Sequence, residues 1–207
     1  MKFRIPMIAF LIPFIILLFS FRLVVFDVGF YKSEFERHGV YDKFDKSVAD
    51  PAVENLISYM KSGSPLSNFF NEKEKTHMAD VKSIIQKLSI FLYILLSVLV
   101  ISFLSSKKYF FKSLFYGGIL TLAVILLFLI FSFFSFDFIF YKFHELSFSN
   151  EFWKLNPETD YLKALMPDSF FYNALMRIFF ISSITSVIFI FVGFLGLKKS
   201  RLQARKT

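Results

Sequence analysis

The sequence predicts an all-α membrane protein with four transmembrane helices and an extracellular cap built from two outer loops. Of its 207 residues, 56% are hydrophobic and 33 are phenylalanine, a level that soluble domains of this size rarely reach. Four apolar windows approach the ~20 residues that cross the hydrocarbon core, and they cover about residues 5–26, 88–106, 114–136 and 170–197. The first window is too long for a signal-peptide core, so we interpret it as a retained helix.

The charge distribution predicts the orientation of these helices. All 16 acidic residues lie in segments 27–87 and 137–169, whereas the N-terminus, the short loop SSKKYFFKS and the tail are basic. We expect residues 1–207 to form a single membrane domain. Because positively charged loops stay in the cytoplasm, both termini should lie inside. The two long segments then form the outer cap. The net charge of +8 indicates topology and contact with membrane lipid rather than nucleic-acid binding, for which the sequence holds no motif.

The outer segments hold signals for short helices. A helix is expected from near Asp50–Pro51 to Gly63, and a second from Glu74 into the second span. The third span is expected to continue outward through 138–144, and a short helix should follow the turn at 156–160. The chain has no cysteine, which excludes disulfides, thiolate nucleophiles and lipidation at cysteine.

Two of the three histidines are candidates for chemistry. His77 and His144 each lie in the first outer segment of a membrane helix, so they could meet near the membrane boundary. An imidazole can donate and accept protons near neutral pH. On spacing alone, the alternative that both histidines only make interfacial hydrogen bonds stays open. His38 has charged neighbours and is expected to be a solvated loop residue.

Asp80 follows His77 by three residues, so its carboxylate can lie beside the imidazole on one helix face. Such a partner would fix the tautomer and raise the basicity of the ring, which favours His77 as a base. His77, Asp80 and His144 could also ligate a metal, but spacing of this kind is weak evidence and we predict no metal and no cofactor.

Arg22 and Arg177 lie inside apolar spans near their outer ends. They could bind a substrate ester or phosphate, or extend to the lipid headgroups. The sequence has no nucleophile elbow, zinc-protease or nucleotide-binding motif, so any catalysis is expected to proceed without a covalent enzyme nucleophile.

The segment FHELSFSNEFWKLNPETDYLKALMPDSFF (143–171), together with the upstream HMADVK, resembles the bacterial lipoprotein intramolecular transacylases (Lit). The resemblance covers the whole four-span topology, and its specific part is the FH–N–W–P–D–P–F order with a His-x-x-acid before the second span. It implies an acyl transfer within a diacylated lipoprotein, from the sn-2 glyceryl oxygen to the α-amine of the N-terminal cysteine, in the bacterial plasma membrane with the site facing outward.

The resemblance also implies site residues. The two family histidines correspond to His77 and His144, and the other candidates for substrate binding or support are Asp80, Asn150, Trp153, Asp160, Arg22, Arg177, Phe143 and Phe148. Which histidine is the base and which the acid does not follow from sequence. The competing hypothesis is a non-catalytic membrane assembly protein whose cap docks a partner. The sequence leaves the oligomeric state open.

Overall fold

The described part of the backbone is mainly helical. The computed structural model describes residues 4–204, with side chains for all of these except residue 4, residues 133–135 and residues 201–204. In this part of the chain there is no strand. The helices are α1 (Arg4–Val25), α2 (Val28–Arg37), α3 (Lys46–Ser62), α4 (Glu72–Ser105), α5 (Lys107–Ser147), α6 (Tyr161–Leu165) and α7 (Asp168–Ala204), with one 3₁₀ turn at Val40–Asp42.

Four of these helices are long and apolar enough to cross a membrane, which confirms the predicted four-span class. The membrane-crossing segments are Ile5–Val25, Glu72–Ser105, Lys107–Ser132 and Asp168–Ser200. Large apolar side chains remain exposed along them, among them Leu104, Ile101 and Phe180 at 77%, 61% and 66%. Hydrocarbon around these helices would remove the cost of that exposure.

The short basic loop predicted between the second and third spans is largely helical, and that part of the prediction is wrong. Only Ser106 separates α4 from α5, and the first turns of α5 contain the sequence KKYFFKS. The segment has neither glycine nor proline, so nothing in it prevents helix formation. Lys2, Arg205 and Lys206, which contributed to the predicted orientation, lie outside the described residues.

The chain divides into two compact units. The first, here the membrane unit, contains the chain up to Phe21, Leu88–Phe134 and the chain from Arg177. The second, here the polar unit, contains Arg22–Lys87 and Ser135–Met176. Both histidines singled out above belong to the polar unit.

In the membrane unit, one face of α1 forms the centre of the packing. Ile12 and Ile16 pack with Leu114 of α5, and Ile15 packs with Leu92 and Leu95 of α4. Positions 12, 15 and 16 share a helix face, so a single stripe of isoleucines contacts two helices.

Glycines let α5 and α7 approach closely. A Cβ atom placed on Gly193 would lie 2.6 Å from the backbone nitrogen of Phe115 and 2.8 Å from the carbonyl oxygen of Phe111. Gly118 on α5 faces α7 in the same way, with the carbonyl oxygen of Ser186 at 2.9 Å. Inside a membrane the hydrophobic effect does not drive helices together. Small residues at the contact allow close van der Waals packing, which does.

In the polar unit, the two ends of α3 compare differently with the prediction. The helix ends at Gly63, which adopts a left-handed φ of 80°, as expected. It begins at Lys46, about one turn before the predicted start near Asp50–Pro51. Pro51 therefore lies inside the helix, where it removes one backbone hydrogen bond without ending the helix. The short helix α6 and the continuation of α5 through Ser147 confirm the helices expected for these segments.

We predict that Gly193→Ala destabilises the membrane unit by about 1–3 kcal/mol, since the added methyl meets backbone atoms that cannot rotate away. The measurement is the thermal unfolding midpoint in detergent. Val192→Ala is the matched control, because Val192 is exposed and its truncation leaves the α5–α7 contact intact. Equal midpoints for the wild type and Gly193→Ala would contradict this account of the contact.

Candidate active site

Helix α4 begins with a reciprocal cap. The backbone N–H of Asn71 donates to Glu74 Oε2 at 2.7 Å, and the N–H of Glu74 donates to Asn71 Oδ1 at 3.0 Å. This exchange satisfies two of the backbone groups that a helix start leaves without partners. It fixes the first turn of the helix that carries His77.

The same two side chains tie α4 to the segment that follows α5. Glu74 is fully buried, and its Oε1 accepts the N–H of Leu162. Asn71 Nδ2 donates to Asp160 Oδ1 at 2.8 Å, and the N–H of Asn156 donates to Asp160 Oδ2 at 2.7 Å. We call Asn71, Glu74 and Asp160, with the groups they bind, the bracket. It holds the turn at 156–160 against the start of α4.

Asp160 is in its charged form in the bracket. Burial by itself raises the pKa of the Asp160 carboxyl, but the N–H of Asn156, the amide of Asn71 and the ammonium of Lys73 outweigh it and lower that pKa below the usual range. Its oxygens accept bonds from within the unit, so Asp160 supports the site and does not line the cavity described below.

His77 lies one turn after Glu74 on α4 and is only 6% exposed. Phe148 packs edge-on against its ring, with centroids 5.1 Å apart. Its Nδ1 atom is buried, and among the described residues it has no hydrogen-bond partner. Buried polar atoms nearly always have partners, so this nitrogen is an exception among the described residues.

His144 lies on α5 and faces His77. The two ring centroids are 6.1 Å apart, and the rings of Trp153 and Phe140 pack on His144 at 5.2 and 4.3 Å. His144 Nδ1 lies 2.7 Å from the carbonyl oxygen of Phe140. A carbonyl only accepts, so Nδ1 carries the hydrogen and Nε2 of the neutral ring has a free lone pair.

The surroundings of His144 keep this neutral tautomer in place. Burial lowers the pKa of His144, and it outweighs the Phe140 carbonyl, which raises that pKa. Of the charges nearby, Lys163 lowers the pKa of His144 and Asp168 raises it. The ring is therefore uncharged at neutral pH and able to accept a proton.

A cavity of about 260 Å³ lies beside the two histidines. Aromatic and apolar side chains form most of its wall, with a few charged groups. The lining residues are His77, Asp137, Phe140, Tyr141, His144, Trp153, Lys154, Leu155, Leu162, Lys163, Met166, Asp168 and Phe171. The structure thus brings the predicted residues His77, His144 and Trp153 to one cavity.

Asp80 lies near enough to His77 to interact with the charge of its ring, as the spacing predicted, but within the described residues the two side chains share no hydrogen bond. Its Oδ2 accepts a hydrogen bond of 2.8 Å from Asn150 Nδ2, and no bond joins it to the imidazole. The spacing of three residues put both groups on one face of α4, but the segment after α5 supplies a better donor for the carboxylate. Asp80 and Asn150 therefore form a second connection between α4 and that segment.

The remaining predicted residues divide into those beside the histidines and those elsewhere. Phe148 contacts both rings, and Phe143 lies edge-on to His144 at 5.5 Å. Arg22 stacks over Phe26 at 5.0 Å and is not one of the residues lining the cavity, and Arg177 belongs to the membrane unit.

Two further expectations concern His38 and metal ligands. His38 is not solvated, because its Nε2 contacts the buried Glu34 at 3.1 Å and its side chain is 18% exposed. The charged neighbours of His38 suggested solvent exposure, but α2 directs Glu34 into the interior, where it contacts His38. Within the described residues, no three His, Asp or Glu side chains are grouped to hold a metal ion.

Comparison with known proteins gives the family. The model of the family described as "Lipoprotein intramolecular transacylase Lit" matches residues 6–171, which is most of the chain. The chain belongs to the Lit family. It is therefore a membrane-integral enzyme, an acyltransferase of the lipoprotein intramolecular transacylase class, and the hypothesis of a non-catalytic assembly protein is set aside. No curated protein sequence matches it significantly.

Solved structures share the Lit fold. The membrane-integral lipoprotein intramolecular transacylase Lit from Bacillus cereus matches with a TM-score of 0.87 at 24% identity, covering 97% of each chain. A structure of that protein with a histidine-to-arginine mutation matches with a TM-score of 0.82 at 23% identity, covering 98% of this chain and 94% of the other. The likeness confirms the fold of this Lit chain.

Asn71 and Glu74 are site-supporting residues of this Lit chain that the sequence analysis missed. Their spacing, Asn-x-x-Glu just before an apolar helix, is close to the capping-box pattern and could have placed the start of α4 at Glu72. The pattern would not have revealed that both side chains also bind the segment after α5.

We predict that Asp160→Asn lowers the stability of the polar unit at pH 7 by about 1–3 kcal/mol, because a charged acceptor in the bracket is lost. The folded pKa of Asp160 is depressed, so its contribution is present above the unfolded value near pH 4 and disappears as the pH falls through the folded value. The thermal midpoints of wild type and variant should therefore converge in acid. Glu158→Gln, on the same turn but exposed, is the control; a gap that persists in strong acid would contradict the assignment.

Proposed function

We propose that this enzyme moves the sn-2 acyl chain of a diacylglyceryl lipoprotein to the α-amino group of the same N-terminal cysteine. The product is an N-acylated lipoprotein with one acyl chain left on glycerol. The reaction then occurs at the outer face of the bacterial plasma membrane, the side on which the charge distribution of the sequence predicts the polar unit to lie. The other partner is membrane lipid.

The observation that carries the proposal is the pair of imidazoles beside one cavity. One ring, His144, offers an unprotonated Nε2, and the other, His77, has a buried Nδ1 without a partner among the described residues. Their centroid separation of 6.1 Å leaves room for a carbonyl group to contact both. An acyl transfer needs one group that removes a proton and one that stabilises or returns it.

In the first step, His144 acts as the base. The substrate amine has a reference pKa of ~7.7–8.0, so a neutral imidazole can remove the proton that blocks its lone pair. The amine nitrogen then attacks the ester carbonyl carbon, and the carbon–oxygen π electrons move to the oxygen. This assignment replaces the sequence-based preference for His77, because Asp80 binds Asn150 while the Phe140 carbonyl fixes the tautomer of His144.

In the second step, His77 acts as the hydrogen-bond donor. Its ring hydrogen-bonds to the oxyanion of the tetrahedral intermediate at a position shielded from water. Collapse breaks the bond between the acyl carbon and the glyceryl oxygen, which takes the proton held by His144. The neutral His144 then removes the second proton from the cationic nitrogen, which leaves the amide, and passes it to solvent. The amide forms without an acyl-enzyme, and the described residues of the cavity wall include no serine, threonine or cysteine.

The cavity also lowers the entropic cost of bringing the amine to the ester. Attack closes an eight-membered ring through the cysteine, the sulfur and two glyceryl carbons, a conformation that free substrate seldom adopts. Orientation of this kind can contribute ~7–11 kcal/mol to lowering a barrier. Phe140, Trp153 and Phe171 supply rigid walls for the folded headgroup, while Asp80, Asn150 and Asp160 hold those walls in place.

We predict that His77→Ala and His144→Ala each lower the transfer rate at least ~100-fold, because each removes a proton-transfer or oxyanion contact. The chain is expressed in a bacterium that makes only diacylated lipoproteins. Mass spectrometry of the N-terminal peptide of a reporter lipoprotein then follows the movement of the acyl chain from glycerol to nitrogen.

His38→Gln is the matched control, because His38 lies outside the cavity and the glutamine can still bond Glu34. Its reporter should be converted like that of the wild type. An acyl chain that stays on glycerol with well-expressed wild-type enzyme would refute the reaction. Full conversion by both alanine variants would refute the histidine mechanism alone.

We further predict that the loss of kcat in acid has its midpoint below pH 6.5. His144 must be uncharged to act as a base, and burial lowers its folded pKa, so protonation and loss of activity occur only at a pH below its ordinary value. The measurement is the pH profile of kcat with purified enzyme and a synthetic diacylated cysteine peptide. An acid limb with its midpoint above 6.5 would exclude His144 in this environment as the base.

A further inference from the structure

Asp137 is a charge in an otherwise uncharged stretch of α5. Between Lys112 and Lys142 it is the one ionisable Asp, Glu, Lys, Arg or His residue, set within the sequence FSFFSFDFIF. A carboxylate in such a position near a membrane is costly, and residues of this kind usually face a polar partner or a pathway. The proposed histidine chemistry leaves Asp137 without a role.

The structure places this carboxylate on the cavity beside the histidines. Asp137 lines the cavity, and it shares a face of α5 with Tyr141 and His144 at spacings of four and seven residues. At 1.5 Å per residue, its Cα is roughly 10 Å from that of His144 along the helix. Helical side chains lean toward the N-terminus, so the imidazole of His144 is directed toward the level of Asp137.

The other charged groups of the cavity wall have partners. Lys163 pairs with Asp168, and Lys154 pairs with Glu151. Among the side chains that the structure describes, none forms an ion pair or a hydrogen bond with Asp137, whose side chain is exposed. The cavity therefore offers one uncompensated negative charge, on the face that carries His144.

We propose that Asp137 forms a subsite for a primary ammonium group, the protonated α-amine of the substrate cysteine. The inference rests on the proposed function, because only that reaction requires a free N-terminal amine. The substrate arrives with this amine largely protonated, and a carboxylate is the side chain that binds it best. A neutral wall would give the amine no preferred position.

The subsite also orders the events of the reaction. The ammonium docks on Asp137, His144 Nε2 removes one proton, and the neutral amine leaves the carboxylate for the ester carbon. Asp137 is then a binding residue that places the nucleophile next to the base. Its effect should appear in substrate affinity, and any remaining turnover should still depend on His144.

The test compares two unreactive substrate analogues with an ether in place of the sn-2 ester. One has the free α-amine, and the other lacks the amino group. Full-length enzyme is placed in phosphatidylglycerol nanodiscs, which contain no ammonium lipid, and binding is followed by the fluorescence of Trp153, the single tryptophan. The variants are Asp137→Asn and, as a matched control, Glu145→Gln, which removes an α5 carboxylate that pairs with Lys142 outside the cavity.

Wild type and Glu145→Gln should bind the amine analogue about tenfold or more tightly than the des-amino analogue, a typical effect of a charge-assisted hydrogen bond. Asp137→Asn should bind both alike, with unchanged affinity for the des-amino analogue, which shows that the cavity is intact. A preference retained by Asp137→Asn, or absent from the wild type, overturns the subsite.

Two further readouts separate the remaining explanations. Loss of co-purified phosphatidylethanolamine from Asp137→Asn, with no analogue preference in the wild type, would assign the carboxylate to a lipid headgroup and overturn the proposal. Conversion of the ester substrate by wild type in the same discs reports on the proposed reaction itself. Its failure refutes that reaction, whereas conversion without an analogue preference refutes only the subsite.

Discussion

The polar unit depends on how a chain without cysteine holds a long irregular segment in place. The segment after α5 has one helix of five residues, so its own backbone hydrogen bonds do not fix it. The bracket supplies the missing constraint, because Glu74 and Asn71 complete the cap of α4 and at the same time bind Leu162 and Asp160. The start of α4 and the position of the segment are therefore fixed together, and the segment that carries Trp153 is held against the helix that carries His77.

The parts of the fold that were predictable are those governed by local sequence. Apolar windows of sufficient length fixed the four spans, and Gly63 fixed the end of α3 through its left-handed conformation. The loop between α4 and α5 was not predictable in this way. Its lysines indicate the side of the membrane whether they lie in a loop or in a helical turn. The charge pattern therefore does not predict the backbone conformation of this segment.

The site was predictable as a set of residue types and less so as a network. The approach of His77 to His144 required a tertiary contact that spacing only permitted, and the family pattern made that contact the preferred hypothesis. The hydrogen bond of Asp80 was not predictable from spacing, because a neighbour three residues away competes with donors from distant segments, and Asn150 is better placed to donate. The bracket escaped notice since a cap is a local pattern, whereas its second contact spans 88 residues.

The hydrogen bond from His144 to the carbonyl of Phe140 has a consequence for how the site tolerates sequence change. A histidine can also be oriented by a carboxylate side chain, which a single substitution can remove. Here the orienting group belongs to the main chain, and any residue at position 140 supplies the same oxygen while the helix remains. Substitutions can therefore alter the aromatic wall of the cavity without disturbing which ring nitrogen of His144 carries the hydrogen.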